Sequence, residues 1–269
     1  NRSKTVAAKT SKGKKRRNTI SAESRPVNGH TEVHIGGRIP VSHRAGISAR
    51  KKIYQPNSFS AGLMKKALAT GGVKIKGRVR FGKVPKGAKR ILRHYSQPLQ
   101  AILGEMLRRS NNVIAETLLR QLDPAARGKD FAAGARELLR VFLKVSQAPA
   151  EPQRITNGSG LYDANRLTVR AIGGLLEHVL RSDWAAEYVG ALALSGHEGT
   201  LKKRLTKLWF RGKTGTLNQS IALAGYLDVS GRGRVPVVVI FNGPLAGKAG
   251  ACRKWTDALV NRLHDKLAR

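Results

Sequence analysis

The sequence predicts an α+β fold with an antiparallel sheet. Apolar residues recur at a helical spacing over residues 98–194, form strand-like runs over residues 208–241, and return to a helical spacing from Trp255 onward. Helices that come before and after a block of strands are typical of α+β domains, whereas α/β folds alternate the two elements. With 269 residues, of which 41% are hydrophobic, the chain can bury the core of one large domain or two smaller ones.

The first ninety residues are predicted to form short strands with one helix between them. Residues 31–35 alternate polar and apolar side chains, and residues 73–81 alternate apolar side chains with Lys and Arg. A period of two is typical of a strand that is buried on one face. Residues 61–69 have the composition of a short helix, which we expect to end at Gly71 and Gly72.

Helices are predicted for most of residues 98–194. One apolar face covers residues 99–107, and the pattern resumes at residue 113 after the pair Asn111 and Asn112. Further helices are predicted for residues 131–145, 167–180 and 184–194. The expected buried face of the first of these comprises Leu138, Leu139, Val141, Phe142 and Val145.

Three strands and a closing helix complete the predicted fold. Strand-like runs cover residues 208–211, 221–229 and 235–241. Because residues 235–240 are apolar without interruption, we expect this run to be a central strand. The closing helix carries apolar residues at steps of four, at Trp255, Leu259, Leu263 and Leu267.

Positive charge is the most unusual feature of the composition. Fifty-one Lys and Arg outnumber 16 Asp and Glu, so the net charge is +35. Residues 1–100 hold 25 of the basic residues but only two acids, and the densest basic runs are residues 12–17 and 74–93. A single run of this kind is most often a solvated loop or an edge strand, but two acids cannot balance the whole field. We therefore predict contact with a polyanion through residues 1–93, either RNA, DNA, anionic lipid or an anionic cell-wall polymer.

Several kinds of site are excluded by the composition. No apolar run reaches 18 residues, so no transmembrane helix is predicted. Cys252 is the only cysteine, which excludes an intrachain disulfide, and we expect it to be a small core residue. The histidines have no metal-ligand spacing, so we expect neither a metal nor a cofactor. Since the chain begins with Asn1 rather than Met, we expect it to be processed, trimmed or partial.

Two short motifs carry chemistry. Residues 213–216 read Lys-Thr-Gly-Thr next to a strand-like run, and Ser110 and Asn112 form an S-x-N triplet at the break between two predicted helices. Taken singly, these residues have simpler readings as a solvated lysine, a turn residue and a helix cap. In this order they match two of the three motifs of the serine enzymes that react with penicillin, which are S-x-x-K, S-x-N and K-T-G.

The residues around the motifs resemble class C low-molecular-mass penicillin-binding proteins, which are D-alanyl-D-alanine carboxypeptidases and endopeptidases. The resemblance covers nearly the whole chain, through residues 1–5, 106–116, 157–162, 199–201, 212–217 and 223–226. It implies the antiparallel, helix-flanked sheet of serine β-lactamases and DD-peptidases, with part of an inserted β-rich domain at the N-terminal end. Residues 1–92 would then be the returning part of the insert, and residues 93–269 an incomplete peptidase domain.

The resemblance also implies a role for each motif residue. In such enzymes a serine attacks the D-alanyl carbonyl and a nearby lysine activates that serine. Ser110 and Asn112 are then expected to serve in proton relay and substrate amide binding, and Lys213 to polarise the site. The remaining motif residues are expected to bind the substrate strand and its terminal carboxylate, namely Thr214, Gly215 and Thr216.

Two features depart from the family pattern. The S-x-x-K motif has only two literal matches, Ser11/Lys14 and Ser48/Lys51, and neither begins an apolar helix. We therefore expect the nucleophile to come from an upstream segment or a partner chain. Asn157 stands where the family's D-G-S-G segment has its acid, which changes a charge near the site.

Two functions are consistent with these observations. The first is a serine-type D-Ala-D-Ala carboxypeptidase or endopeptidase that acts on peptidoglycan stem peptides, reacts with β-lactams, and is periplasmic or secreted like the family. The second is a catalytically inactive descendant of such a peptidase, intracellular or organellar, that serves as a basic structural or polyanion-binding component of a larger assembly.

Overall fold

A computed structural model describes most of the chain. The described residues are 2–6, 18–28, 30–43, 46–49, 51–123, 130–162, 164–243 and 247–269. They divide into two compact units, Asn1–Leu92 and Arg93–Arg269.

The first unit contains a three-stranded sheet and a helix. Its strands are β1 (Arg2–Val6), β2 (Ser21–Val27) and β3 (His30–Pro40), and its helix is α1 (Pro56–Thr70). The middle strand β3 runs parallel to β1 and antiparallel to β2. The strand predicted at residues 31–35 and the helix predicted at residues 61–69 are both confirmed. The helix begins earlier than predicted, with Pro56 in its first turn, where the missing N–H has no helical partner to lose.

The strand predicted at residues 73–81 is wrong. These residues form no strand in the structure, and Val73 and Phe81 are 53% and 74% exposed. A strand requires a neighbour for its backbone hydrogen bonds. No described strand is hydrogen-bonded to this segment, so the alternation of its side chains was not enough to make it a strand.

The described residues of the second unit form six helices and a four-stranded sheet. The helices are α2 (Leu99–Arg109), α3 (Asn112–Gln121), α4 (Phe131–Ser146), α5 (Val169–Leu180), α6 (Ala185–Ala191) and α7 (Ala249–Leu267). The strands are β4 (Ala193–Leu194), β5 (Phe210–Thr216), β6 (Ser220–Val229) and β7 (Gly233–Asn242). Of the helices, α5, α6 and α7 contact the sheet. The sheet has the order β4-β5-β6-β7 and is antiparallel throughout, which confirms the predicted α+β class. The helix predicted for residues 184–194 is shorter, because its last residues form β4 instead.

Helices cover both faces of this sheet. One core cluster joins β5 and β6 to α7, through buried residues that include Phe210, Leu223 and Val260. A second cluster packs Tyr226 of β6 against α5 and α6, and the Tyr226 hydroxyl donates a hydrogen bond to the carbonyl of Leu176 at 3.0 Å. Adjacent residues of a strand point to opposite faces, which explains how β6 contributes to both clusters.

The prediction that residues 235–240 form a strand is confirmed, but within the described chain this strand has a neighbour on one side only. These residues belong to β7, which lies at one end of the four-stranded order described by the structure. Both α5 and α7 contact β7. An uninterrupted apolar run indicates that both faces of a strand are buried. It does not indicate which edges of the strand are hydrogen-bonded to neighbours.

Two predicted helix faces are confirmed in part: Leu263 and Leu267 of α7 pack against the core cluster, and Leu138, Leu139 and Val145 of α4 are partly buried. In α7 the buried residues are Cys252, Thr256 and Val260, whereas Trp255 is 55% exposed. In α4, Phe142 is buried but Val141 is 40% exposed. A step of four residues drifts around a helix of 3.6 residues per turn, which explains why Trp255 and Leu259 lie off the buried face of α7. The buried position predicted for Cys252 is confirmed. Among the described residues no helix is both long and apolar enough to cross a membrane.

Candidate active site

Ser110 lies at the corner where α2 ends and α3 begins. Its backbone is left-handed, with φ of 55° and ψ of 52°, which is uncommon for a residue other than glycine. The side-chain oxygen of Asn111 caps α3 by accepting hydrogen bonds from the backbone N–H groups of Val113 at 3.1 Å and Ile114 at 3.3 Å. The capping bonds and the left-handed residue together hold the serine side chain at the junction of the two helices.

The structure brings the two sequence motifs together at this corner. Lys213 Nζ on β5 donates a hydrogen bond to Ser110 Oγ at 2.9 Å, although the two residues are 103 positions apart. The same ammonium donates to the carbonyl of Thr214 at 2.5 Å. Burial lowers the pKa of Lys213 below its ordinary value of 10.5, because an ammonium out of water is less favourable. A lysine with a lowered pKa can take up and release a proton more readily at neutral pH.

A cleft of about 430 Å³ opens at this contact. It is lined by five of the predicted site residues, Ser110, Asn112, Lys213, Thr214 and Gly215, and by apolar side chains that include Met106 and Leu167. Asn112 is the first residue of α3 and is exposed. The neighbouring Asn111 is occupied by its cap, so Asn112 supplies the amide at this position that is open to a ligand.

The Lys-Thr-Gly-Thr residues form the end of β5 and have one free edge. On one side β5 pairs with β6 as far as Thr216, but on the other side β4 reaches only Gly212 and Arg211. Along residues 213–216 the second edge has no neighbouring strand in the described chain. Apart from the Thr214 carbonyl, which accepts a hydrogen bond from Lys213 Nζ, the backbone groups of this edge are therefore available to an extended ligand.

The two threonines of this run have polar partners on other elements. Thr214 Oγ1 lies 2.8 Å from Thr200 Oγ1, which belongs to a 3₁₀ turn at Gly199–Leu201. Thr216, the sixth predicted site residue, is exposed beyond the cleft lining, and its hydroxyl accepts a hydrogen bond from Arg253 at 3.0 Å. Sequence reasoning assigned no role to Arg253, because nothing in the sequence links α7 to this strand.

Glu116 is a second residue near the site that sequence reasoning missed. Its carboxylate accepts hydrogen bonds from the backbone N–H groups of Gly158 at 3.2 Å and Ser159 at 2.9 Å, and from the Ser159 hydroxyl. Burial raises the pKa of Glu116, but these hydrogen bonds outweigh it and the net pKa lies below the ordinary value. A Cβ at Gly158 would come within 2.6 Å of the Ala115 carbonyl oxygen, so only glycine fits there. Glu116 thus fastens one wall of the cleft to α3.

Asn157, which stands in place of the family's acid, belongs to the same turn. Its side-chain oxygen accepts a hydrogen bond from the backbone N–H of Gly160 at 2.6 Å. Asn165 holds the turn from the other side, by donating to the Asn157 carbonyl at 3.0 Å. The side-chain amide of Asn157 therefore stabilises its own turn.

The other serines do not lie in surroundings that suit a nucleophile. Ser48 and Lys51 are exposed and lie outside any helix, while Ser11 and Lys14 lie outside the described residues. A further serine, Ser195, was not a candidate from the sequence and is buried. Its hydroxyl donates to the Leu208 carbonyl at 2.5 Å and accepts from the Phe210 N–H at 3.1 Å, which stabilises the start of β5. Within the described ranges, no group of three or more His, Cys, Asp or Glu side chains could hold a metal ion.

Comparison with known proteins relates nearly the whole chain to one family. The model of the D-Ala-D-Ala carboxypeptidase 3 (S13) family matches residues 2–265. A D-alanyl-D-alanine carboxypeptidase from an Actinomadura species is 29% identical over 235 residues, which are 81% of this chain and 42% of that protein. The D-alanyl-D-alanine carboxypeptidase DacB of Haemophilus influenzae is 23% identical over 204 residues, or 72% of this chain and 42% of that protein. The chain thus spans about two fifths of the length of these relatives.

Solved structures show the same fold. Penicillin-binding protein 4 of Haemophilus influenzae superposes with a TM-score of 0.70 at 20% identity, over 91% of this chain and 56% of that one. A predatory endopeptidase of Bdellovibrio bacteriovorus, solved with an immunity protein, superposes with a TM-score of 0.58 at 16% identity, over 85% of this chain and 66% of that one. These likenesses support the mixed helix and antiparallel-sheet architecture described above.

Proposed function

Since the chain belongs to the D-Ala-D-Ala carboxypeptidase 3 (S13) family, we propose that it forms the part of a serine-type D-Ala-D-Ala carboxypeptidase or endopeptidase that holds the S-x-N and K-T-G motifs. The substrate class is the stem peptide of peptidoglycan. The observation that carries the proposal is the 2.9 Å hydrogen bond from Lys213 Nζ to Ser110 Oγ inside an open cleft. A hydroxyl and an amine in contact form the relay that acyl transfer to a serine requires.

The relay handles the proton that acyl transfer displaces. When a serine hydroxyl attacks the carbonyl of the penultimate D-alanine, its proton must reach the nitrogen that leaves with the last residue. Ser110 delivers that proton through its own hydroxyl, and Lys213 supplies the positive field that stabilises the developing charge. Water then hydrolyses the resulting ester. Asn112 binds the peptide amide on the other side of the cleft.

The free edge of residues 213–216 is the proposed binding place for the peptide backbone. An extended peptide there would add a strand to β5, antiparallel to it. Gly215 fits this role, because a Cβ at that position would meet only Ala222 Cβ at an ordinary 3.6 Å. Packing within the chain therefore does not demand glycine at position 215, whereas close approach by a ligand backbone does.

The nucleophile is proposed to come from outside residues 1–269, on an upstream segment or a partner chain. Of the two S-x-x-K matches, Ser48/Lys51 lies outside any helix and Ser11/Lys14 lies outside the described residues. The relatives are more than twice as long as the region that they share with this chain. Residues 1–92 are proposed as the returning part of an insert and residues 93–269 as the incomplete peptidase domain. A periplasmic or secreted location follows from the same proposal.

Covalent labelling by a fluorescent penicillin tests the proposed function. We expect residues 1–269 alone to remain unlabelled, and we expect labelling once the upstream segment is restored, in cis or as a second chain. Excess unlabelled penicillin should abolish the signal, which serves as the control. Failure of the reunited protein to become labelled would contradict an active peptidase.

A second candidate, binding of a polyanion, is favoured by one observation. Residues 74–93 carry nine Lys and Arg and are exposed throughout, while residues 12–17 lie outside the described chain. No described ion pair involves residues 74–93. This segment would suit nucleic acid phosphates as an extended basic strip in a catalytically inactive descendant of the family.

Salt titration tests this candidate. If the basic strip binds nucleic acid, affinity for a labelled single-stranded DNA should fall at least about tenfold between 50 and 200 mM salt. Replacing Lys83, Lys86 and Lys89 with glutamine should weaken binding and reduce the salt slope. The control variant replaces Lys202, Lys203 and Lys207, which removes the same charge from the second unit. If the two triple variants weaken DNA binding equally, or if the affinity for DNA does not depend on salt, residues 74–93 are not the binding site.

A further inference from the structure

The turn that follows Glu198 lies between the two elements that carry the motifs. Glu198 directly precedes the 3₁₀ turn described above, and both α2 and β5 contact this turn. A Cβ at Gly199 would collide with the carbonyl oxygen of Arg108, so the turn touches the backbone of α2. On its other side, the hydroxyl of Thr200 contacts the hydroxyl of Thr214 in β5. The turn is therefore a shared neighbour of the end of α2 and of the strand that carries Lys-Thr-Gly-Thr.

Glu198 forms an ion pair with each of these two elements. Its Oε1 lies 3.4 Å from Nε of Arg108 and 3.8 Å from Nη1 of Arg211. Arg108 lies two residues before Ser110 in α2, and Arg211 lies two residues before Lys213 in β5. A single carboxylate oxygen thus joins the last turn of α2 to β5, two residues away from either side of the contact between Ser110 and Lys213.

Both arginines are also held by the end of α6. Arg108 Nη2 donates a hydrogen bond to the carbonyl of Gly190 at 2.5 Å, and Arg211 Nη1 donates to the carbonyl of Leu192 at 3.3 Å. These bonds place two guanidinium groups at one junction of α2, α6 and β5. We refer to Arg108, Glu198 and Arg211 together as the charge cluster.

Glu198 is the counter-charge of this cluster. Among the described ion pairs it is the only acid that contacts Arg108 or Arg211. Glu105 lines the same cavity of about 920 Å³ beside Arg108, but its carboxylate is paired with Arg109 at 3.0 Å. Without Glu198, two like charges would face each other at the junction, and their repulsion would favour separation of α2 from β5.

We propose that Glu198 is a positioning residue, which holds the end of α2 against β5 and thereby keeps Ser110 Oγ in contact with Lys213 Nζ. This rests on the proposed function, since that contact is the proposed relay. Glu198 acts through the two arginines rather than on the reacting atoms. The side chains of the charge cluster are 28–39% exposed, so solvent screens the ion pairs and we expect a moderate effect rather than loss of the fold.

Amide hydrogen exchange on residues 1–269 tests the positioning without the nucleophile. Glu198→Gln keeps the size of the side chain and removes its charge. For this variant we expect peptides that span residues 106–112 and 210–216 to exchange about three- to tenfold faster, the range for loss of two partly screened ion pairs. Glu198→Asp keeps the charge and should change exchange less. Glu177→Gln is the matched control, since it removes an exposed carboxylate that lies 3.8 Å from Arg181 on α5.

Two results of the exchange experiment would overturn the inference. The first is exchange in Glu198→Gln that equals that of the wild-type chain in both peptides. The second is exchange that rises equally in every peptide of the chain, because that would mean a general loss of stability instead of a local separation of α2 from β5.

Penicillin labelling of the reunited protein tests whether Glu198 acts through the relay. Glu198→Gln should slow labelling about tenfold, because a displacement of about 1 Å in a reacting group can cost up to about 10²-fold. In a Lys213→Ala background the same change should slow labelling less than about twofold, since the relay is already broken. An equal loss in both backgrounds contradicts the inference. Failure of the reunited wild-type protein to be labelled contradicts the proposed function instead, and the exchange experiment then still decides whether Glu198 holds α2 against β5.

Discussion

Lys213→Ala is expected to slow acylation of the reunited protein by fluorescent penicillin by about 10²–10³-fold. The lysine ammonium is within 2.9 Å of Ser110 Oγ, and removing it leaves that hydroxyl without its proton partner. Burial of the lysine makes the loss larger, because an electrostatic contact is stronger away from water. The measurement is the rate of covalent labelling at a fixed penicillin concentration.

Two further variants identify the cause of that loss. Lys207→Ala removes the same charge from an exposed position and should leave the labelling rate unchanged. Ser110→Ala should reduce the rate by a similar factor to Lys213→Ala, and the double variant should be little worse than either, since residues that act as one unit are not additive. If Lys213→Ala behaves like Lys207→Ala, the lysine has no part in the relay.

Phe210→Ala is expected to lower the free energy of unfolding by about 3–5 kcal/mol. Phe210 begins β5, is fully buried, and belongs to the core cluster between the sheet and α7. Truncating the ring leaves a cavity that Gly212 has no side chain to fill, since even an added Cβ there would lie within 2.5 Å of a carbon of the present ring. Urea denaturation of residues 1–269, followed by tryptophan fluorescence and circular dichroism, measures the change.

Trp209→Ala is the control for this prediction. Trp209 precedes Phe210, is 61% exposed, and contacts His197 through stacked rings with centroids 6.1 Å apart. Its loss should cost less than about 1 kcal/mol, because little apolar surface returns to water. A larger effect at Trp209 than at Phe210 would contradict the assignment of this core. Because β5 also carries Lys213, the core cluster around Phe210 also positions Lys213 against Ser110.

The periodicity of apolar residues predicted most of the helices and strands of the described chain. It failed where the structure depends on whether a neighbouring strand pairs with the segment. Residues 112–121 and 131–146 repeat apolar side chains at the helical spacing, and both form helices. Residues 73–81 alternate as a strand does, yet no described strand pairs with them. The apolar run of β7 did not reveal that this strand has one neighbour in the described sheet, since face burial and edge pairing are independent.

The sequence by itself determined the family, because residues 2–265 match one family model. It also determined the order of the S-x-N and K-T-G motifs, which lie within that range. Only the tertiary structure decided which side chains meet. Lys213 contacts Ser110 across 103 residues, Glu116 fastens a turn 42 residues away, and Arg253 contacts Thr216 across 37. A contact between distant residues depends on how helices and strands pack in three dimensions, and neither periodicity nor composition records that packing.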